Sequence, residues 1–344
     1  MAALGRIEFG GPDLSPRRLR DLLQRHVEGS PPGSRIDWAT YYFRDRALAE
    51  ALIRASDRGV NVRLVMEPSP RRAGANDQVI AMLQAHGLNG GFHLYQAKGR
   101  RAVRGHLHSK IYAFSDPDIA WIGSFNPSGD EPEDPDVIAE IGDQDRGHNL
   151  LLGIERPKLT AALRRYMDRL IDPPRLPFNL RPFSFWRVSD GDTKLFFFPR
   201  LFTLIAEREI ALLGHSGRFR GAVSHLKEGP LTQAMSIAAR RGASIDLLVH
   251  DTERRVPSKL VTKLREAGIR IRRVVHPDEL PMHAKFLLVR RGRAESAWLG
   301  SYNFNKKSRR HNAELLVRTK DPATLETLDQ RFELIKARAE DSDP

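Results

Sequence analysis

Hydrophobic and polar positions in the first half of the chain alternate between strand and helix patterns. Apolar, β-branched and aromatic residues run together in the segments predicted as strands. Between them, apolar residues recur three and four positions apart, as on one face of a helix, and a glycine follows each such segment. The predicted order is strand 36–43, helix 48–55, strand 60–65 and helix 77–86.

The second half repeats this order of elements. The pattern predicts strand 209–214, helix 231–239, strand 244–249, helix 259–267 and a short strand 269–272. Connections of helix length between successive strands are typical of parallel sheets. We therefore predict an α/β fold with mixed, mostly parallel sheets, divided into a first repeat 1–171, a proline-rich linker 172–188 and a second repeat 189–344.

The same set of polar residues comes late in each repeat. The first set is His108, Lys110, Ser124 and Asn126, and the second is His283, Lys285, Ser301 and Asn303. In both, the serine and asparagine belong to a Gly-Ser-x-Asn turn that follows an apolar strand. A histidine and a lysine two residues apart on a strand point to the same side. One His-x-Lys pair is weak evidence, but two at matching places in a repeat indicate a shared chemical role.

These motifs resemble the phospholipase D superfamily, the His-Lys-Asp phosphodiesterases, over nearly the whole chain. The resemblance implies two pseudo-twofold-related halves, each an α/β/α sandwich, with one active site at their interface. A single chain would then hold a complete site. The implied catalytic residues are His108, Lys110, Asn126, His283, Lys285, Asn303 and Glu314, and the implied supporting residues are Ser124, Ser301 and Asp116.

The chain departs from the family pattern in two places. Asp116 lies one residue further from Lys110 than the family spacing, and Arg293 stands where the second aspartate is expected. The family also has an Asn-x-Glu after the Gly-Ser-x-Asn turn. The second half has it as Asn312 to Glu314, whereas the segment that begins at Asn149 lacks the carboxylate. We therefore expect Glu314 to orient one of the active-site histidines.

Two histidines suit the hydrolysis of a phosphodiester. One attacks phosphorus and forms a phosphohistidine, while the other protonates the leaving oxygen and then activates water. The lysines and asparagines would bind the non-bridging oxygens, so we expect no metal and no other cofactor. By analogy with two-motif family members, His108 is the predicted nucleophile and His283 the predicted acid. His106 could form a metal pair with His108, but we favour a residue that lines the groove or is merely exposed.

Charge favours a polyanionic substrate. The net charge is +13, although residues 130–145 hold eight acidic residues and no lysine or arginine. Basic residues near the motifs are candidate substrate contacts: Arg100, Arg101, Arg104, Lys306, Lys307, Arg309 and Arg310. We predict a nuclease on DNA or RNA with little sequence specificity, since no base-reading motif is present. The alternatives are a phospholipase D or phosphatidyltransferase on anionic lipid, and an inactive nucleic-acid-binding protein.

The acidic segment 130–145 is an insertion relative to the second repeat. Its place in the repeat puts it near the mouth of the expected site. A lid over a basic groove, a cation site and a solvated loop all fit its composition.

Other sequence features bound the class of protein. The chain has no cysteine, which excludes disulfides and cysteine-ligated zinc. No apolar run approaches the roughly 20 residues of a membrane helix. The first residues lack the layout of a signal peptide, so we expect a cytoplasmic protein.

Overall fold

The computed structural model describes residues 4–96, 105–128, 146–172, 187–200, 204–277, 279–280 and 282–340. The acidic segment 130–145, the three arginines at 100, 101 and 104, and most of the proline-rich linker lie outside these ranges. The strands of the first half are β1 Ile7–Phe9, β2 Arg35–Thr40, β3 Asn61–Met66, β4 Phe92–Leu94, β5 Ile111–Ser115, β6 Asp118–Gly123 and β7 Leu150–Ile154. Its helices are α1 Arg18–Gly29, α2 Arg46–Asp57, α3 Asp77–His86 and α4 Pro157–Ile171, with a short 3-10 turn at Gly87–Gly90.

The second half contains the remaining elements. Its strands are β8 Arg187–Asp190, β9 Thr193–Phe198, β10 Gly217–Val223, β11 Ser244–His250, β12 Arg270–Val274, β13 Lys285–Arg291, β14 Ala294–Gly300 and β15 Glu314–Thr319. Its helices are α5 Ala206–Ala211, α6 Pro230–Arg240, α7 Ser258–Glu266, α8 Lys306–Arg310 and α9 Pro322–Glu340. Among the described residues, α4 is the last element before the linker and β8 the first one after it.

Two mixed sheets form the framework of the protein. The first has the strand order β1-β7-β6-β5-β2-β3-β4, and the second has the order β12-β11-β10-β13-β14-β15-β9-β8. The series β4-β3-β2-β5-β6-β7 therefore matches β12-β11-β10-β13-β14-β15. This repetition confirms the predicted α/β fold with two halves.

The balance of parallel and antiparallel pairing differs from the prediction. In the described strands, parallel pairing is confined to β2, β3 and β4 in the first half and to β10, β11 and β12 in the second. The other pairs are antiparallel, so the expectation of mostly parallel sheets was wrong. Only the first strands of each repeat are joined by helical crossovers. After each His-x-Lys pair, a short turn joins β5 to β6 and β13 to β14, and longer connections lead to β7 and β15, which also lie antiparallel to their neighbours.

The first predicted strand of the second half was also wrong. Residues 209–214 fall at the end of α5 and in the turn after it, and the strand is β10. Ala206, Ile210 and Leu213 are buried at helical spacing, which explains the apolar run. Arginines interrupt the apolar pattern of β10 and hide it. One of them, Arg220, forms ion pairs with Asp329 and Glu333 on α9.

Helices cover both faces of each sheet. Buried residues of α1, α2 and α3 pack on the outer face of the first sheet, and those of α5, α6 and α7 on the outer face of the second. The inner faces share one core with α4 and α9, and this core contains residues of both halves. Tyr166 of α4 packs on Phe197 of β9, for example, with ring centroids 4.8 Å apart. Burial of a side chain such as Phe197 contributes about 1.5–3 kcal/mol, so the shared core holds the halves in a fixed relation.

Candidate active site

The two His-x-Lys segments meet between the halves, and each is attached to the other half. Leu107 forms a parallel bridge with Ala313, and the backbone N–H of His108 donates to the carbonyl oxygen of Ala313 over 2.9 Å. In the same way, the backbone N–H of His283 donates to the carbonyl oxygen of Gly147 over 2.6 Å. Each histidine is therefore positioned by the backbone just before a strand of the opposite repeat, β15 for His108 and β7 for His283, and one chain supplies both.

A buried carboxylate holds the first histidine. Nδ1 of His108 lies 2.9 Å from Oε2 of Glu314, whose side chain is fully buried. Ser301 donates its hydroxyl to the same oxygen over 2.6 Å, and Asn312 donates its amide to Oε1 over 3.3 Å. These bonds fix the carboxylate, which in turn fixes the ring of His108. The structure thus places Glu314 where it can orient an active-site histidine.

An amide holds the second histidine. Nδ1 of His283 lies 2.9 Å from Oδ1 of Asn149, and Ser124 donates its hydroxyl to that oxygen over 3.2 Å. Asn149 therefore occupies in the first half the position that Glu314 occupies in the second. The match of Asn149 with Asn312 suggested by the sequence was wrong by two residues. A usable signal was present, because both Asn149 and Glu314 directly precede a Leu-Leu pair at the start of a strand.

The two serines tie the Gly-Ser-x-Asn turns to the adjacent strands. The hydroxyl oxygen of Ser124 accepts from the N–H of Leu150, and that of Ser301 accepts from the N–H of Leu315, both over 3.1 Å. Through these bonds the turns stay beside Asn149 and Glu314.

The two lysines of the motifs are almost completely buried beside the histidines. Nζ of Lys110 donates to the carbonyl oxygen of His108 over 2.8 Å, and Nζ of Lys285 donates to that of His283 over 3.0 Å. Burial lowers the pKa of Lys110 to about 7. Burial and the charge of Lys110 also lower the pKa of Lys285 well below its ordinary value. An anion bound beside both lysines favours their charged forms and is stabilised by them in return, as a phosphate subsite requires.

Both imidazoles favour the neutral form. Burial lowers the pKa of His108 to about 4, with Glu314 opposing and Lys110 adding to the shift. Burial, and then the charge of Lys285, lower the pKa of His283 well below its ordinary value. Burial acts to raise the pKa of Glu314, but His108 and Lys110 bring it below its usual range. At neutral pH the site therefore combines unprotonated imidazoles with an ionised carboxylate.

The two asparagines of the turns face the ends of β2 and β10. Oδ1 of Asn126 accepts from the N–H of Tyr42 over 3.3 Å, and Oδ1 of Asn303 accepts from the hydroxyl of Ser224 over a long 3.5 Å. With each oxygen engaged, the amide NH₂ group is the donor that can reach a substrate oxygen.

Several residues near the histidines carried no motif in the sequence. The ring of Tyr41 lies 4.9 Å from that of His108 and 5.2 Å from Nζ of Lys110. Burial, and then the charges of Arg255 and Lys285, lower the pKa of His225. Tyr41 is the first residue after β2, and His225 is the second residue after β10, the corresponding strand of the second repeat. A position just after the end of a strand is only weak evidence for a functional residue. For His225 it could be used only if β10 had been predicted correctly.

The remaining predicted residues lie elsewhere or play other parts. Asp116 is in the turn between β5 and β6, at the far end of β5 from Lys110, which at about 3.3 Å per residue places it roughly 17 Å away. Nδ1 of His106 lies 3.5 Å from Oε1 of Glu67. Within the described ranges, no group of three or more side chains could hold a metal ion.

Basic residues lie on α8, the short helix after the second Gly-Ser-x-Asn turn. The four predicted contacts Lys306, Lys307, Arg309 and Arg310 all belong to it. None of the described helices has the length and hydropathy of a membrane-spanning segment.

The family model described as "Cardiolipin synthase, PLD-like domain" matches residues 30–171 and 211–336, more than three quarters of the chain. A comparison with curated protein sequences finds no match.

Two solved structures have a similar fold. The phosphatidylserine synthase of Haemophilus influenzae Rd KW20 matches with a TM-score of 0.70 and 14% identity, over 97% of this chain and 86% of that one. The polyphosphate kinase of Porphyromonas gingivalis matches with a TM-score of 0.61 and 14% identity, over 96% of this chain. The chain spans only 50% of that kinase. At this identity the likeness concerns the fold, and the family match assigns the chain: it belongs to the phospholipase D-like family, whose members act on phosphodiesters.

Proposed function

We propose that the chain is a metal-independent phosphodiesterase that works through a phosphohistidine. The observation that carries this proposal is that two neutral imidazoles, each held by a residue of the opposite repeat, lie beside two buried lysines. Nε2 of His108 attacks phosphorus, and the bond from phosphorus to the leaving oxygen breaks as His283 gives that oxygen a proton. His283 then takes a proton from water, the water oxygen attacks phosphorus, and the phosphorus–nitrogen bond breaks.

The different partners of the two histidines support this division of roles. The nucleophile becomes positively charged when it bonds to phosphorus, and the carboxylate of Glu314 stabilises that charge on His108. A hydrogen bond to a charged group contributes about 1.5–3 kcal/mol, roughly twice a neutral one. The amide of Asn149 forms only a neutral hydrogen bond with His283. His283, which also has a low pKa, is a strong acid once an anionic substrate has helped to protonate it.

Nucleic acid is the substrate class we favour. The net charge of +13 and the basic helix α8 beside the second turn both suit a phosphate backbone. Contacts of this kind do not read bases, so we expect little sequence specificity. Phospholipid is the second candidate, and the description of the matching family as cardiolipin synthase favours it. The convergence of both His-Lys pairs argues against a protein that only binds nucleic acid.

The first experiment separates these substrates. Purified protein with EDTA is incubated with single-stranded DNA, plasmid DNA and phosphatidylcholine vesicles, and a His108→Ala/His283→Ala variant is the control. Cleavage of DNA by the wild type alone supports a metal-independent nuclease. Headgroup release from vesicles alone replaces it with a phospholipase. Activity that EDTA abolishes refutes the two-histidine mechanism.

A second experiment tests the roles of the histidines. Bis(p-nitrophenyl) phosphate has a leaving group that departs without a proton. His283→Ala should therefore still release one equivalent of nitrophenolate and then stop with a phosphorylated His108, whereas His108→Ala should release none. The opposite pattern would exchange the two roles.

A further inference from the structure

A second basic concavity lies on the outer face of the second sheet, away from the paired histidines. Its volume is about 760 Å³, and its floor contains Phe196 and Trp298. Six basic side chains and one acidic side chain, Glu209, line it. The basic residues are Arg187, Lys194, Arg200, Arg208, Arg291 and Arg318.

This cavity exists because a helix is shorter in the second half than in the first. Helices α1 and α5 both precede the first parallel strand of their repeats, but α1 has 12 residues and α5 has 6. At 1.5 Å per residue, α5 is about 9 Å shorter. The outer face that α1 covers in the first sheet is therefore partly uncovered in the second.

Trp298 marks the same place by an unused donor. In the first half, Trp121 stands at the corresponding position of β6, and its Nε1–H donates to Nε2 of His26 on α1 over 3.0 Å. Trp298 is 1% exposed, lines the cavity, and finds no acceptor for its Nε1–H among the described residues. The unpaired indole N–H of Trp298 therefore marks the place in the second half where α1 supplies an acceptor in the first.

The positive charge around the cavity is not neutralised within the described part of the chain. Glu209 is already engaged, since it accepts two hydrogen bonds of 3.0 Å from Arg318. By contrast, four basic residues form no ion pair with any residue of the described ranges, and they are Arg187, Lys194, Arg208 and Arg291. Burial, together with the charge of Arg187, lowers the pKa of Arg200 to about 10. Such an arrangement stabilises a bound anion.

The cavity is connected to the active site. The backbone N–H of Arg200 donates to the carbonyl oxygen of Arg309 on the basic helix α8. On β9, Phe198 pairs with Glu314, which holds His108, and Lys194 pairs with Arg318 four residues further on. At about 3.3 Å per residue, the cavity extends roughly 13 Å from the level of the active site. The basic residues of α8 lie between the cavity and the active site.

We propose that this cavity binds backbone phosphates of a single nucleic-acid strand whose scissile phosphodiester lies between His108 and His283. The inference rests on the proposed nuclease function and adds a second contact region to it. Arg200 and Trp298 lie at the bottom of the cavity, with 3% and 1% exposure, so the basic side chains surround a recess that a single strand can enter and the flat surface of a bilayer cannot. The guanidinium of Arg318 covers the ring of Trp298 at 5.6 Å, which prevents bases from stacking there. Binding is therefore to phosphate and independent of sequence.

The test compares two triple variants in a His108→Ala background. The cavity variant is Arg187→Ala/Arg208→Ala/Arg291→Ala, and the control Arg25→Ala/Arg240→Ala/Lys259→Ala removes the same charge from exposed positions on α1, α6 and α7. Fluorescence anisotropy measures binding of labelled single-stranded DNA of about 4 and about 16 nucleotides, the range of sites on single strands. Hydrolysis of bis(p-nitrophenyl) phosphate, which fills the active site alone, is measured with His108 restored.

Loss of three phosphate contacts lowers the slope of log affinity against log salt by about 2, which is a 10- to 100-fold weaker affinity near 0.1 M salt. We expect this for the longer strand and the cavity variant only, with the small substrate hydrolysed at an unchanged rate. Equal binding by the two triple variants would overturn the cavity proposal while leaving the active site untouched. Binding to anionic phosphatidylglycerol vesicles, lost in the cavity variant, without binding to DNA would also overturn it. If DNA binding is normal and depends on the cavity but no substrate is hydrolysed, the proposed nuclease function is refuted and the cavity proposal is supported.

Discussion

Replacing Glu314 by glutamine tests whether its charge stabilises the phosphohistidine. Glutamine retains an oxygen for His108 and Ser301 but removes the negative charge 2.9 Å from the imidazole. The loss of a charge-assisted hydrogen bond costs about 1.5–3 kcal/mol, so the first step should slow by about 10- to 150-fold. The protonation of His108 does not explain such a loss. Glu314 raises the pKa of His108, and without it the ring is even more completely neutral at pH 7.

Rapid-quench measurement of the nitrophenolate burst from bis(p-nitrophenyl) phosphate reports this step directly. Glu67→Gln is the matched control, because Glu67 is also buried and near the site but accepts from the backbone N–H of Leu107 over 2.7 Å. Its burst rate should change by less than about threefold, well below the loss of a charge-assisted hydrogen bond to the nucleophile, because Glu67 bonds to the backbone and not to the ring of His108. Thermal unfolding of both variants shows whether the fold is intact. A Glu314→Gln burst within about threefold of the wild type, in a stably folded protein, would refute the role of the carboxylate.

Three further predictions concern neighbouring groups. Because burial lowers the pKa of Lys110 to about 7, kcat/KM should fall as pH rises through that value, and Lys110→Arg, which stays charged, should remove this limb. Asn149→Asp places a carboxylate beside His283 and raises the pKa of that ring. It should therefore move the alkaline limb of kcat to higher pH without changing the nitrophenolate burst. Arg331→Met leaves the largely buried Asp13 without its ion pair and should lower the free energy of unfolding in urea by about 3–5 kcal/mol. The pKa of Asp13 is lowered in the folded protein despite burial, so this difference is present near neutrality and disappears as pH falls through that lowered pKa.

The repeat and its motifs could be predicted because they depend on local patterns. Strands such as β5 and β13 contain an apolar run of four residues, 111–114 and 286–289, directly after the His-x-Lys segments. The error at β10 has a tertiary cause. Its residue Arg220 is stabilised by acidic residues of α9 more than 100 positions away, which no local pattern reveals. The proportion of parallel pairing was likewise set by the later strands of each repeat, β5 to β7 and β13 to β15, which are antiparallel and which the helix pattern did not cover.

The site could be predicted residue by residue where a motif repeated, and less well where the repeats differ. Asn149 was missed as the partner of His283 because an amide replaces a carboxylate there and an insertion changes the spacing. From Asn126 to Asn149 is 23 positions, whereas from Asn303 to Glu314 is 11. The outer cavity was also beyond the sequence pattern, because it results from the length of α5 and from which side chains of β9, β14 and β15 remain uncovered.

The contrast between Asn149 and Glu314 has an evolutionary consequence. In a symmetric pair of identical subunits, one gene encodes both halves of the site, so every substitution appears in both halves. Joining the halves in a single chain releases them from this constraint, so one copy can lose a carboxylate while the other keeps it. Because each histidine is held by the opposite repeat, the two copies must nevertheless be inherited together. Two repeats in a single chain thus permit a division of labour between the histidines that a symmetric pair of identical subunits could not encode.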